Sequence, residues 1–299
     1  MKAIQTDGTA PVFGSTSRPF SPHQVWVKVA YAGLCRTDIL CGKGLLNVAP
    51  QRIIGHECAG LVVHSPNSRL PRGSRVCINP LLICGQCAGC QCGQSCSQPC
   101  FLGLDADGAF AEFIAVPETA VHVIPNRLSL QQAAFVEPVA AALAVLDTGI
   151  ESSMNGLVIG QGRIAQLVCD ILALHGFKNV RVIDKPKPEL RVDFVVECTG
   201  QGDLEPVLQL LKPKGVCILK SRRLAQVNFP LSLIVSQELQ IKGAYYASFA
   251  SAIDLLNSGR LETCRYFGAV YPLEHFVPQF NADESLKIFC QPHAEPERI

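Results

Sequence analysis

Leu157-Val158-Ile159-Gly160-Gln161-Gly162-Arg163-Ile164-Ala165 is the stretch that decides the fold. Three apolar β-formers run into two glycines spaced by one residue, and residues 163–175 then carry apolar side chains at helical spacing. This is the G-x-G-x-x-G/A pattern, with Ala165 in the third small position. Gly160 permits the tight turn, Gly162 lets backbone approach a pyrophosphate, and Ala165 allows the helix to pack close on the strand. A helix amino end at such a turn offers N–H groups to phosphate. The next strand, 180–183, ends at Asp184. A carboxylate there accepts from a ribose 2′-hydroxyl and repels a 2′-phosphate, favouring NAD over NADP, although Lys185 and Lys187 beside it soften the preference.

Outward from that turn, apolar strand patterns recur at 194–196, 216–219 and 239–241, separated by helical patterns at 204–211 and 231–236. A helix over 249–258 closes the region. Strands alternating with helices mean a parallel α/β sheet. Upstream, to about residue 125, short β-type runs are broken by Gly and Pro, and residues 24–29 alternate with period two. Ser129 reads as a helix cap before an Ala-rich helix over 131–146.

The 299 residues suffice for about two domains. With 48% hydrophobic residues the chain can bury real cores, which excludes disorder. Lys+Arg 26 against Asp+Glu 25 leaves a net charge of +1 with no basic stripe, so nucleic-acid binding is unsupported. The apolar run 139–146 is far short of the roughly 20 residues a membrane span needs. No signal-peptide pattern opens the chain, and a cytoplasmic protein is expected.

Fifteen cysteines include seven between positions 77 and 100, namely Cys77, Cys84, Cys87, Cys90, Cys92, Cys96 and Cys100. An odd total without a secretion signal argues for metal rather than disulfides. Two-residue gaps let Cys84, Cys87 and Cys90 face one tetrahedral ion, with Cys96 or Cys100 as the fourth thiolate of a closed structural zinc site. A dispersed set of Cys35-Arg36-Thr37-Asp38, Gly55-His56-Glu57 and Glu137-Pro138 has the S, N and O donors of an open catalytic zinc.

Together with Asp107-Gly108-Ala109-Phe110-Ala111-Glu112-Phe113 and Glu197-Cys198-Thr199-Gly200, these motifs resemble the zinc-dependent medium-chain dehydrogenase/reductase superfamily, of the alcohol dehydrogenase type, over nearly the whole chain. The resemblance implies an α/β architecture: a GroES-like β domain, about 1–150 with 265–299 returning to it, around a Rossmann domain at 151–264. It implies Cys35 and His56 as ligands of a catalytic zinc, with Glu137 or Glu57 as the oxygen ligand. Asp38 and Glu57 would orient those ligands, and Thr37 would hydrogen-bond the substrate hydroxyl and pass its proton on. Cys84, Cys87 and Cys90 match the family's structural-zinc lobe, and Cys96 falls where the fourth ligand usually lies, with Cys100 as its rival. Gly160, Gly162, Arg163 and Ile164 are expected at the pyrophosphate, Asp184 at the adenosine ribose and Thr199 near the nicotinamide. The implied activity is hydride transfer between NAD, or NADP, and a small alcohol or carbonyl compound. Relatives are commonly dimers or tetramers, so a homo-oligomer is expected.

Two departures stand out. Leu40 replaces the histidine that completes the proton relay in many relatives, so the relay must be shorter or use water. Only about eight residues, including Pro186 and Pro188, separate Asp184 from the next strand, too few for a helical crossover. The expected sheet is therefore trimmed to about five parallel strands, with an adenosine pocket lacking one wall. A zinc-binding scaffold, or a nonredox zinc enzyme that has lost nicotinamide turnover, is the competing reading.

Overall fold

A computed structural model describes residues 1–92, 96–222, 226–282 and 285–296. β1 (Lys2–Thr6) and β2 (Pro11–Ser15) pair antiparallel. β3 (Val25–Gly33) follows, its alternation setting Val25, Val27 and Val29 on one fully buried face. After α1 (Arg36–Gly42) come β4 (Glu57–His64), β5 (Arg75–Ile78), β6 (Leu81–Leu82), α2 (Ala88–Gln91), β7 (Cys100–Phe101), β8 (Phe113–Val116) and β9 (Val121–Val123).

The Ala-rich stretch is not the single helix its composition suggests. It forms α3 (Leu130–Ala134) and α4 (Val136–Leu143), divided at Phe135. Ser129 caps α3 as read, in a reciprocal box with Gln132. Pro138 explains the division. It lacks an N–H and its ring would strike the Ala134 carbonyl, so it is tolerated only in a first turn, and the helix must restart just before it.

β10 (Gly156–Ile159), α5 (Arg163–Leu174), β11 (Val180–Ile183), β12 (Val192–Glu197), α6 (Glu205–Leu208), β13 (Leu211–Leu219), α7 (Leu231–Ser236), β14 (Gln240–Gly243) and α8 (Phe249–Asn257) complete the α/β region. The helix expected over 204–211 is shorter than its pattern, because Leu211 already belongs to β13 and pairs with Val192. β15 (Phe267–Pro272) and β16 (Lys287–Gln291) close the chain.

The chain divides into two compact units, Met1–Glu137 with Thr263–Ile299, and Pro138–Glu262. In the first, strands run in the order β15-β16-β3-β4-β5-β9, with β8 also on β3. β16 joins antiparallel to β3, which is how the chain's last strand returns to the β domain. Phe110, Phe276 and Phe280 pack together in its core.

The second unit is a five-stranded sheet in the order β11-β10-β12-β13-β14, every pair parallel, as the sequence reading expects. α5 buries Ala165, Leu167, Val168, Ile171 and Leu172 at helical spacing. Gly156 is required in β10 because a Cβ there would stand 2.1 Å from the Phe194 ring. Residues 184–191 link β11 to β12 with only a turn at Lys187, so β11 is a sheet edge. Exposed Arg181 on that edge, with Pro186 and Pro188 after it, discourages edge-to-edge pairing.

Candidate active site and metal centres

Asp38 organises the first site. It is the third residue of α1, and its Oδ2 accepts from the Cys35 N–H at 2.9 Å, which caps the helix. Its Oδ1 lies 3.1 Å from His56 Nδ1, both side chains being almost fully buried. A carboxylate can only accept, so Nδ1 carries the proton, and Nε2 is the nitrogen that could hold a metal. Burial opposes charge on His56, but Asp38 and Cys35 outweigh it and hold the imidazole well above its ordinary pKa. A field that favours a proton at that ring equally favours a metal cation.

One donor atom each from Cys35, His56 and Glu57 lies within 4.8 Å of the others. Glu137, 6% exposed, stands outside that group, yet its Oε1 is 4.0 Å from His56 Nε2. Sulfur, imidazole and carboxylate form the borderline donor set that suits zinc. Thr37 sits half-buried in the first turn of α1, and Leu40 lies one turn on. Phe101 packs its ring 5.1 Å from that of His56.

Lys287 is the residue the sequence reading missed. Fully buried in β16, its ammonium donates to a Glu57 carboxylate oxygen and to the Leu34 carbonyl at 3.0 Å. Gly33 makes room, since a Cβ there would fall 2.3 Å from Glu57 Oε2. A signal was present: in Lys287-Ile288-Phe289, period two puts Lys287 on the same face as a core phenylalanine.

At the cysteine lobe the structure gathers Cys84, Cys87, Cys90 and Cys96, whose sulfurs all lie within 4.8 Å of one another. The Cys84 sulfur is 3.9 Å from that of Cys90 and 3.6 Å from that of Cys96. A tetrahedral zinc with bonds near ~2.3 Å requires sulfur separations of about 3.8 Å. The four thiols therefore fit one ion. N–H groups of Ser97 and Cys90 point at the Cys87 sulfur and hold its pKa down to about 5, and the Cys84 and Gln98 N–H groups lower that of Cys96. Cys100 is outside the group, its backbone committed to β7 opposite Leu82.

The dinucleotide turn joins β10 to α5. Gly160 has φ +134°, open to glycine and strained for other residues. Gly162 is the N-cap of α5, and a Cβ built on it would meet nothing within 4 Å, so its backbone faces open space. Arg163 and Ile164 open the helix, and Asp184 follows β11 directly, exposed to solvent. Strand order reverses between β10 and β12, and ligands of open α/β sheets bind outside the carboxyl ends of strands at such a point. Thr199 lies just past the end of β12, on that same edge.

The sequence profile of the alcohol dehydrogenase GroES-like domain matches residues 21–126. Probable D-xylulose reductase A of Aspergillus clavatus is 25% identical over 288 residues, 80% of each chain. A protein described as a zinc-binding dehydrogenase from Sinorhizobium meliloti 1021, solved bound to NADP, superposes with TM-score 0.85 at 25% identity, over 97% of this chain and 99% of that one. The fold is also that of 2R,3R-butanediol dehydrogenase from Bacillus subtilis, with TM-score 0.84 at 23% identity over 98% and 99% of the two chains.

Proposed function

We infer that this chain is a zinc-dependent medium-chain dehydrogenase/reductase, and that it oxidises a small polyol, or reduces the matching ketose, with a nicotinamide cofactor. The observation that carries the reading is the convergence of Cys35, His56 and Glu57 at the amino end of α1, with Asp38 fixing the imidazole. The relatives' names supply the substrate class, a ketose in one case and a vicinal diol in another.

Cys35, His56 and either Glu57 or Glu137 would hold the catalytic zinc, and Cys84, Cys87, Cys90 and Cys96 the structural one. When bound, zinc supplies Lewis acidity toward the substrate oxygen, and the nicotinamide takes or returns hydride. Asp38 keeps the His56 ring in one tautomer and orientation. The Thr37 hydroxyl accepts the proton of the substrate hydroxyl and gives it to water, because Leu40 next along the helix cannot carry one. The backbone at Gly160, Gly162, Arg163 and Ile164 holds the pyrophosphate, Asp184 accepts from the adenosine ribose, and Thr199 meets the nicotinamide half.

We also place the protein in the cytoplasm as a homo-oligomer. No described helix is long and apolar enough to cross a membrane, and clustered cysteines gathered to hold metal rather than paired in disulfides suit a reducing compartment. β14 is a sheet edge, and Phe229, Leu231 and Val235 are exposed in and beside α7. Light scattering on a sizing column tests the assembly.

The experiment is a fluorescence titration with NADH and NADPH on protein whose zinc is counted by elemental analysis, with turnover on xylitol and butane-2,3-diol. Two zincs per chain, saturable nucleotide binding and oxidation of a polyol support the function. One zinc and no nucleotide binding would leave the scaffold reading in its place.

A further inference from the structure

The two halves of the parallel sheet are unequal. A doubly wound sheet of full size gives three strands to each mononucleotide. Here β12, β13 and β14 form one half, whereas the half that starts at the dinucleotide turn has β10 and β11 alone, and among the described residues no strand lies beyond β11. β10 is buried throughout, but Val180, Val182 and Ile183 of β11 are only half-buried. The glycine turn at the end of β10 is the place for the pyrophosphate, and Asp184, directly after β11, the place for the adenosine ribose. The base, next along the cofactor, therefore falls toward the side where a third strand and its crossover helix would stand.

What stands there is the link 184–191. Its Asp184, Lys185, Lys187, Pro188 and Glu189 are exposed. Leu190, its one apolar side chain apart from the prolines, packs against the domain's own core, which holds Leu157 and Val195. The course of the link is fixed as well. Two prolines restrict its backbone, and the Leu190 N–H donates to the Lys187 carbonyl at 3.0 Å. The Arg191 guanidinium donates to the Pro188 and Leu190 carbonyls at 2.6 and 2.7 Å. A purine gains affinity from a pocket chiefly by burying its apolar faces. This link presents charged side chains and solvent where such cover is needed, while the glycine turn and the Asp184 carboxylate are kept.

We propose that this chain reads the pyrophosphate and ribose of the adenosine half and not its base, so that nicotinamide dinucleotides carrying another base in place of adenine bind as well as NADH. The inference deepens the nicotinamide-linked reading above and rests on it.

The test is a fluorescence titration of the zinc-loaded protein with three reduced cofactors: NADH, its analogue with cytosine in place of adenine, and nicotinamide mononucleotide. The cytosine analogue is expected to bind within about threefold of NADH, where a site enclosing the purine would lose about tenfold or more to the smaller base. The mononucleotide lacks the second ribose and its phosphate, and is expected to bind at least about a hundredfold more weakly, the worth of two or more hydrogen bonds. Asp184→Ala, at an exposed position outside any strand, is expected to weaken NADH and the cytosine analogue alike, by about tenfold. A cytosine analogue about tenfold weaker than NADH would overturn the proposal. So would a mononucleotide as tight as NADH, or an Asp184→Ala loss that is confined to NADH or absent from both. A protein that binds none of the three would sink the nicotinamide reading itself, a result distinct from any discrimination among them.

Discussion

Lys287 and Glu57 form an ion pair inside the β domain, each 1% exposed, joining strands 230 positions apart in the chain. Burying two charges is expensive, and removing one partner leaves the other uncompensated. Lys287→Met is expected to destabilise the protein by about 3–5 kcal/mol, read from the urea midpoint. Lys287→Met combined with Glu57→Met should recover part of that loss. A single variant as stable as wild type would show that the pair contributes nothing.

Gly33 guards the same pair from below. An added methyl would collide with Glu57 Oε2 at 2.3 Å and press on Lys287 Cδ at 3.1 Å. Overpacking of this kind costs about 1–3 kcal/mol. Gly33→Ala should therefore melt earlier than wild type in calorimetry.

The cysteine lobe yields a contrast between neighbours. Cys96→Ser removes one of four gathered sulfurs, whereas Cys100→Ser touches a thiol outside the group. The first should release about one zinc per chain, and the second should keep the wild-type count by elemental analysis. The reverse result would assign the fourth ligand to Cys100.

Alkaline pH should weaken the fold through buried thiols. Burial pushes the Cys198 thiol up to about 12 and raises Cys77 as well. In the unfolded chain such thiols ionise near ~8.5. Between about pH 9 and 12 the unfolded state therefore releases protons that the folded state retains, and stability falls as pH rises; below that window the contribution is intact. The slope is about 1 kcal/mol per pH unit for each thiol. Cys198→Ala should flatten the fall in urea midpoint between pH 9 and 10.5, and unchanged slopes would refute this origin.

Thr37→Val removes the hydroxyl proposed to accept the substrate proton and keeps the side chain's volume. A drop in kcat of roughly 100-fold with both zincs retained is expected, the low end of what a positioned acid or base contributes. Wild-type turnover would remove Thr37 from the relay.

Much of the fold is legible in the linear order because it rests on local rules. Two prolines in the short link after Asp184 forbid a crossover helix, and the sheet does have five parallel strands with β11 at its edge. Helix bounds were less legible. The Ala-rich pattern reads as one helix over 131–146, yet Pro138 divides it in two, because what decides is whether its missing N–H falls in a first turn.

The sequence by itself determined the motifs whose members are close neighbours: the glycine turn, the run of Cys84, Cys87 and Cys90, and the Ser129 cap of α3. Their geometry follows from backbone periods over a few residues. Only the tertiary structure decided that Cys96 rather than Cys100 joins the thiol group, that Lys287 pairs with Glu57, and that Glu197 grips the turn at Thr199. Those choices depend on which side chains meet, or which way a chain turns, once strands are paired and buried. A buried charge or a sulfur takes whatever partner the packing brings within a few ångströms, and spacing along the chain does not encode that distance.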